Sequence, residues 1–262
     1  MDGSLGVQAG PRCRGARSLD QGSSPDRRLR SGAAGLSLAL ALLRSPLCKK
    51  SILIVEREAK DSNDRTWCFW TDAPSPFDGI ARRVWPRLAF ASDSFARTWD
   101  LRPFRYVMLR GLDFYDHARR ELAKHNVTFL RGEGEVEDGD SFATIRVGEQ
   151  VYEAEWAFDS RLRLQDVTPR PPYNYLKQHF LGWEVETERP VFDADTVTLF
   201  DLRTPQRGGV TFYYTLPFTP TRALVEYTLF SAELLPPEEY ESALRAHLDE
   251  IGAGGYRILE AE

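Results

Sequence analysis

The 262-residue sequence is short of cysteine, of long apolar runs and of positive charge, and each shortage removes a class of protein. Its three cysteines, Cys13, Cys48 and Cys68, form no CxxC pair and no even set. That excludes a disulfide framework, points to a reducing compartment and leaves no metal site to expect. No apolar stretch approaches the roughly 18 residues that span a bilayer. A formal net charge of -5 offers nucleic acid no basic face. Arg27-Arg28-Leu29-Arg30 followed by Ala33 to Leu43 has the basic-then-apolar look of a signal peptide. It starts too deep in the chain for that, and a strand follows at the spacing of a cytosolic fold.

What the chain does have is a globular composition, 42% hydrophobic and 12% aromatic, with length for one large domain or two modest ones. Residues 1–30 are rich in Gly, Ser, Arg and Pro without apolar periodicity, and are expected to be disordered or non-native. Gly32-Ala33-Ala34-Gly35 opens an apolar helix from Leu36 to Leu43, closed by Pro46. Ile52 to Val55 reads as a buried strand ending at Glu56. Residues 60–105 read as a long, aromatic-rich loop region, and 113–125 as an amphipathic helix. Short strands follow near 127–137, 141–147 and 150–158, the last ending in Phe158-Asp159-Ser160. Beyond Pro169, strands are predicted at 195–201, 209–216 and 222–230, a helix over 237–251, and the start of an unpartnered strand at Tyr256 that would expose an edge.

A dinucleotide fold needs strand, glycine-rich turn, helix, and an acid about 20 residues on for a ribose hydroxyl. Gly32 and Gly35 stand at the second and third glycine positions, and Glu56 follows Gly35 by 21 residues. The first glycine position holds Arg30, and Ser23 to Arg28 cannot make the buried strand that should precede it. A reading-frame change or wrong start near Arg30 is the expected cause.

From Gly32 onward the sequence resembles the lycopene cyclase family, in particular its bacterial flavin-dependent β-cyclases. The resemblance is carried by Gly32 to Ala39, Ile54-Val55-Glu56-Arg57, Asn63-Asp64-Arg65-Thr66-Trp67-Cys68-Phe69-Trp70 and Phe158 to Arg161. It continues through Gln178 to Trp183, Asp201-Leu202-Arg203 with Gln206, Tyr214 to Phe218, and Leu224-Val225-Glu226-Tyr227-Thr228 to Ser231. The fold class it implies is α/β (α+β): an FAD/NAD(P)-binding Rossmann-like domain over 31–168 and a partial, mixed or antiparallel β-sheet substrate domain over 169–262. It implies redox-neutral cyclisation of lycopene, or a related linear carotene, to β-ionone rings. The cofactor is FAD in reduced form, with NAD(P)H as reductant. The family's members continue past the position of Glu262, so a second cofactor-contacting segment is expected to be missing, with poor solubility and weak or absent FAD binding.

The same resemblance assigns the general-acid role to Glu226. Protonating an alkene requires a carboxyl kept neutral by burial. The residues alone favour a solvent-facing strand glutamate paired with a lysine or arginine such as Arg222. Gly32, Gly35, Glu56, Arg57 and Asp159 are the cofactor-side candidates; Asp159 could equally cap a turn. Trp67, Trp70, Phe180, Trp183 and Tyr227 are candidates for an aromatic pocket wall around a carbocation, although alternation in a strand allows only half of any run to face it. Asp201 and Arg203 could hold the pocket's shape or form an ordinary surface pair. His179 reads as a packed, hydrogen-bonded residue before a catalytic one. Arg65 could serve the cofactor or donate to loop carbonyls. An apolar substrate implies a cytoplasmic protein with peripheral membrane contact. Two other readings stand beside the cyclase: an inactive fragment of one, and a flavin-dependent monooxygenase or reductase of the same fold.

Overall fold

A computed structural model describes residues 32–57, 59–160 and 171–262. The N-terminal segment with Arg30 and the expected boundary at 168 lie outside the described residues. In chain order the elements are α1 (Ala33–Leu43), β1 (Ile52–Glu56), β2 (Thr66–Thr71), β3 (Arg83–Trp85), β4 (Arg87–Ser92), β5 (Phe95–Asp100) and β6 (Arg105–Arg110). Then come α2 (Gly111–Leu122), β7 (Val127–Arg131), β8 (Gly134–Glu137), β9 (Ala143–Val147) and β10 (Gln150–Ala154). The chain continues with β11 (Lys177–Thr187), β12 (Thr196–Asp201), β13 (Val210–Thr219), β14 (Arg222–Ser231), α3 (Pro237–Glu250) and β15 (Tyr256–Ala261).

The chain divides into two units. The first comprises residues up to Ser62 and Tyr115–Leu162, the second Asn63–Phe114 and Arg163–Glu262. In the first, β1 and β7 pair in parallel from Ile52↔Val127 to Glu56↔Arg131. The antiparallel sheet β10-β9-β8 adjoins them, and Ile145, Val147 and Tyr152 pack with Leu53, Val55 and Leu130. A strand pair this small gains its stability from that apolar cover, since two strands alone are marginal in water.

The second unit is built on a seven-stranded mixed sheet, β15-β11-β14-β13-β12-β4-β5, with a separate antiparallel sheet β2-β6-β3. Every second residue of β14 points the same way. Ala223, Val225, Tyr227 and Leu229 form one core with Trp183 and Val185 of β11 and with Tyr240, Leu244 and Leu248 of α3. The opposite residue set contributes Leu224, with Leu216 and Tyr214 of β13, to a core made with Trp85, Tyr106, Met108 and Cys68 of the smaller sheet. Trp85 is fully buried there and its indole N–H donates to the Pro217 carbonyl at 2.8 Å.

Four expectations need correction. Residues 60–105 are not loop: they carry β2 to β5 and lead into β6, and β4 pairs in parallel with β12. Residues 63–114 belong with that pairing to the second unit. The long strand β11 was not expected; Gly182 in its centre masked a run of alternating residues. The third correction is to the strand near 150–158, which ends at Ala154, leaving Asp159 in irregular, exposed chain. Finally, the strand at Tyr256 has a partner: β15 is antiparallel to β11, from Thr187↔Tyr256 to Trp183↔Ala261.

Candidate functional site

Glu226 sits at the middle of β14, the third strand of the seven, with β11 and β13 on either side. Its register partners are Gly182 and Tyr214. Because Leu224 and Thr228 share its face, the carboxyl points away from α3 and toward the smaller sheet. It is 8% exposed, and among the described residues the one hydrogen bond it receives is a long one, from the Thr228 hydroxyl at 3.3 Å. Burial, reinforced by the charge of Glu262, pushes its pKa up to about 8. Desolvation penalises the ionised form, and a single weak donor does not offset it. Arg222 does not pair with it. That guanidinium binds Glu184 instead, at 2.5 Å from Nε.

Opposite Glu226 is a polar cluster within an apolar wall. Tyr106 of β6 and Tyr214 of β13 share a hydrogen bond between hydroxyls at 2.9 Å. Cys68 of β2 packs beside both, and burial pushes its thiol up to about 12. Both tyrosines are likewise raised by burial, so all three groups stay neutral while Glu226 titrates. Beside them a crevice is lined by Asn63, Thr66, Arg110, Glu184, Glu260 and Glu262. Glu262 accepts from the Thr66 hydroxyl at 2.8 Å through Oε2. Its Oε1 and the Asn63 Oδ1 are buried without a donor.

The aromatic candidates separate by face. Trp70 packs on Tyr106 with ring centroids 4.5 Å apart, and Phe180 shares the Glu226 face; both are nearly half exposed. Tyr227 and Trp183 belong to the α3 core, on the far side of the sheet, because each is one residue out of phase with the Glu226 face. Trp67 likewise points opposite to Cys68 and packs edge-on against Phe114 at 5.3 Å. Asp201 and Arg203 form a bidentate pair, the shorter contact 2.6 Å. Burial opposes the Asp201 carboxylate, but that pairing prevails and holds it below the ordinary range. The pair adjoins Tyr213 and His247 on the α3 side, apart from Glu226. Arg65 donates to the Asp64 carbonyl at 3.0 Å. Sequence reasoning missed Tyr106, Glu262 and the place of Cys68. The alternation in Thr66–Thr71 and Arg105–Arg110 was the signal available for two of them.

In the first unit, Gly32 is the N-cap of α1 with extended backbone and no side-chain cap. A Cβ at Gly32 or Gly35 would meet nothing within 4 Å, so among the described residues the helix N-terminus is open. Glu56 ends β1, and its carboxylate accepts the backbone N–H of Arg57 at 3.0 Å. An open helix N-terminus and an acid at a strand's carboxyl end fit the phosphate and ribose of a dinucleotide such as FAD. Asp159 lies in the same unit but beyond the end of β10.

A Rossmann-like α/β unit interleaved in sequence with a mixed-sheet unit defines a class of fold, and solved structures share it. The flavin-dependent monooxygenase PieE, solved with FAD and substrate, superposes with a TM-score of 0.57 at 14% identity, covering 91% of this chain and 50% of that one. Halogenase PltM gives 0.56 at 13% identity, over 87% and 57%. A geranylgeranyl bacteriochlorophyll reductase-like protein of Thermoplasma acidophilum gives 0.53 at 12%, over 80% and 58%. Identities this low establish the fold alone. The family is fixed by sequence: the model of the lycopene cyclase protein family matches residues 30–262, and the chain belongs to that family. The lycopene beta-cyclase of Paracoccus sp. (strain N81106 / MBIC 01143) is 29% identical over 208 residues, 77% of this chain and 50% of that protein. The chain thus spans about half the length of this curated relative.

Proposed function

We propose that the chain carries the acid site of a lycopene β-cyclase, with Glu226 as the general acid. The observation that carries this reading is a single one: a carboxyl raised to about 8 by burial, in the middle of a sheet, with no cation among the described residues paired to it. Such a group holds its proton at neutral pH and can give it to an alkene carbon. Glu226 would protonate the terminal double bond of the linear carotene. The neighbouring double bond then attacks the resulting carbocation to form the ring carbon–carbon bond. Loss of a proton from the ring to a carboxylate restores the balance, with no net oxidation. Trp70, Phe180 and the Tyr106–Tyr214 pair would present π faces and exclude water from the cation.

FAD in reduced form, maintained by NAD(P)H, belongs to the same proposal; Gly32, Gly35 and Glu56 would hold it, with Arg57 and Asp159 flanking. When bound it would supply an electron-rich ring system to the reaction. Peripheral membrane contact follows from the substrate's insolubility, and exposed Tyr175, Leu176 and Phe180 at the start of β11 offer an apolar edge for it. No described helix is long and apolar enough to cross a membrane.

The test is expression in a lycopene-accumulating bacterial host beside Glu226→Gln. The parent chain is expected to yield yellow-orange cyclic carotenes. The variant should fall by about 10³-fold or more, within the usual range for a lost general acid. Red lycopene unchanged by the parent, or cyclisation that survives in the variant, would overturn the reading.

A further inference from the structure

The site holds a second carboxyl whose position the acid role of Glu226 does not explain. Gly182, in the middle of β11, has Glu226 of β14 as its register partner on one side. On the other side it exchanges both backbone hydrogen bonds with Glu262, at 2.9 and 3.0 Å. A Cβ on Gly182 would stand 3.1 Å from the Glu226 Cγ and 3.3 Å from the Glu262 Cγ. Two glutamates from opposite neighbouring strands therefore converge over the one residue of β11 that has no side chain. A strand-interior glycine marks a site of close approach, and here the groups that approach are both acids.

We propose that Glu262 is the positioning partner of Glu226, a carboxylate whose charge keeps the acid proton on Glu226 across Gly182. The proposal rests on the acid role given to Glu226 above. Two like carboxyls this close cannot both ionise at neutral pH, and the better-solvated one ionises first. Burial raises Glu262 too, and Glu260 and Glu184 add to that, but it is the less buried of the two, and its short bond from Thr66 and the charge of Arg65 pull the other way; among the described residues Glu226 has only the long Thr228 bond. Among the described residues the Oε1 of Glu262 has no hydrogen-bond donor, so one side of this carboxyl is left to face the crevice beside Glu226.

The other groups facing the pair do not replace this effect. Cys68 of β2, Tyr106 of β6 and Tyr214 of β13 are neutral. Glu184 of β11 is paired with Arg222, and Arg110 of β6 with Asp113. Glu260 of β15 lines the crevice beside Glu262 and adds charge of the same sign.

The test is an infrared titration of the carboxylic C=O band in the full chain, the Glu226 band being the one lost in Glu226→Gln. In Glu262→Gln the Glu226 midpoint should fall by about one pH unit, a tenfold change in its ionisation constant. Glu262→Asp, which keeps the charge one methylene farther off, should give a smaller fall and serves if the glutamine variant does not fold. A midpoint unmoved in the folded variants overturns the pairing. The band reports the Glu226 proton whether or not the chain turns over a carotene. A failed cyclase assay with a shifted midpoint therefore sinks the acid role and spares the pairing, and an unmoved midpoint with activity intact does the reverse.

Discussion

The two faces of β14 are made from alternate residues of one ten-residue segment, yet they solve opposite problems. On the α3 face one chain of polar groups is completed from end to end. The Leu235 N–H donates to the Tyr240 hydroxyl at 3.1 Å, that hydroxyl to His179 Nδ1 at 2.6 Å, His179 Nε2 to Ser231 Oγ at 2.8 Å, and Ser231 to the Glu233 carbonyl at 2.5 Å. This fixes one histidine tautomer and leaves Ser231 no lone role as a nucleophile, since its proton is already committed. On the Glu226 face a carboxyl is buried with one weak donor, and two acceptors nearby have none. Completed hydrogen bonds stabilise; an acid left incompletely solvated is a store of proton affinity. One residue's shift along the strand separates structure from chemistry.

That separation can be broken first where its energetic side is strongest. Leu244 of α3 is fully buried against Val225 and Tyr227. Leu244→Ala should destabilise the second unit by about 2–5 kcal/mol, the usual cost of a large-to-small change in a packed core. Chemical denaturation would measure it. The infrared titration of Glu226 should not move, because the two faces share no side-chain contacts among these residues. A displaced midpoint would mean the faces are coupled.

The second effect is a pH dependence. With Glu226 raised from 4.5 to about 8, the folded chain binds more protons than the unfolded one between those values. Its contribution to stability is therefore fully present below about pH 4.5 and is lost as pH rises through 8. Glu226→Gln should abolish that loss. Relative to the parent, it should be increasingly stabilised from pH 5 to pH 9, by roughly 2–4 kcal/mol at the upper end. Equal slopes of stability against pH in parent and variant would remove the buried-acid description.

Much of the α3 face was legible in advance. Apolar alternation marked β12 to β14, and Pro237 with a first-turn Glu238 and Glu239 marked α3. Glu226 was singled out through the family resemblance; the strand pattern alone reads it as a solvent-facing, paired glutamate. Tyr227 should have been excluded on the same pattern, because the neighbour of an inward residue points outward. What opposes Glu226 was not legible. Cys68 and Tyr106 reach it only because β6 lies between β2 and β3, and Glu262 only because β15 adds beside β11. These are long-range pairings between short strands interrupted by Pro86 and Pro103, where periodicity is too brief to read. Gly182 was visible, but a glycine announces close approach without naming what approaches.

The smallest effect concerns the histidine that belongs to the quiet face. Burial, aided by nearby Lys177, holds His179 below the ordinary histidine value, against the pull of its bond near Glu233. A base depressed in the fold is neutral there while its unfolded counterpart takes a proton. Its contribution is intact above about pH 6.5 and falls away as pH drops through the lower folded value. The direction is the reverse of that for Glu226, so the two faces weaken at opposite ends of the pH scale. Protonation at Nδ1 would also force the Tyr240 hydroxyl to turn, because an imidazolium nitrogen donates and cannot accept. Nitrogen NMR of the imidazole should show the Nε2–H tautomer at pH 7, and its loss on acidification should coincide with a shift of the Tyr240 hydroxyl. An Nδ1–H tautomer at neutral pH would reverse the hydrogen-bond chain. It would return Ser231 to consideration as a reactive group, and with it the distinction between the two faces would fail.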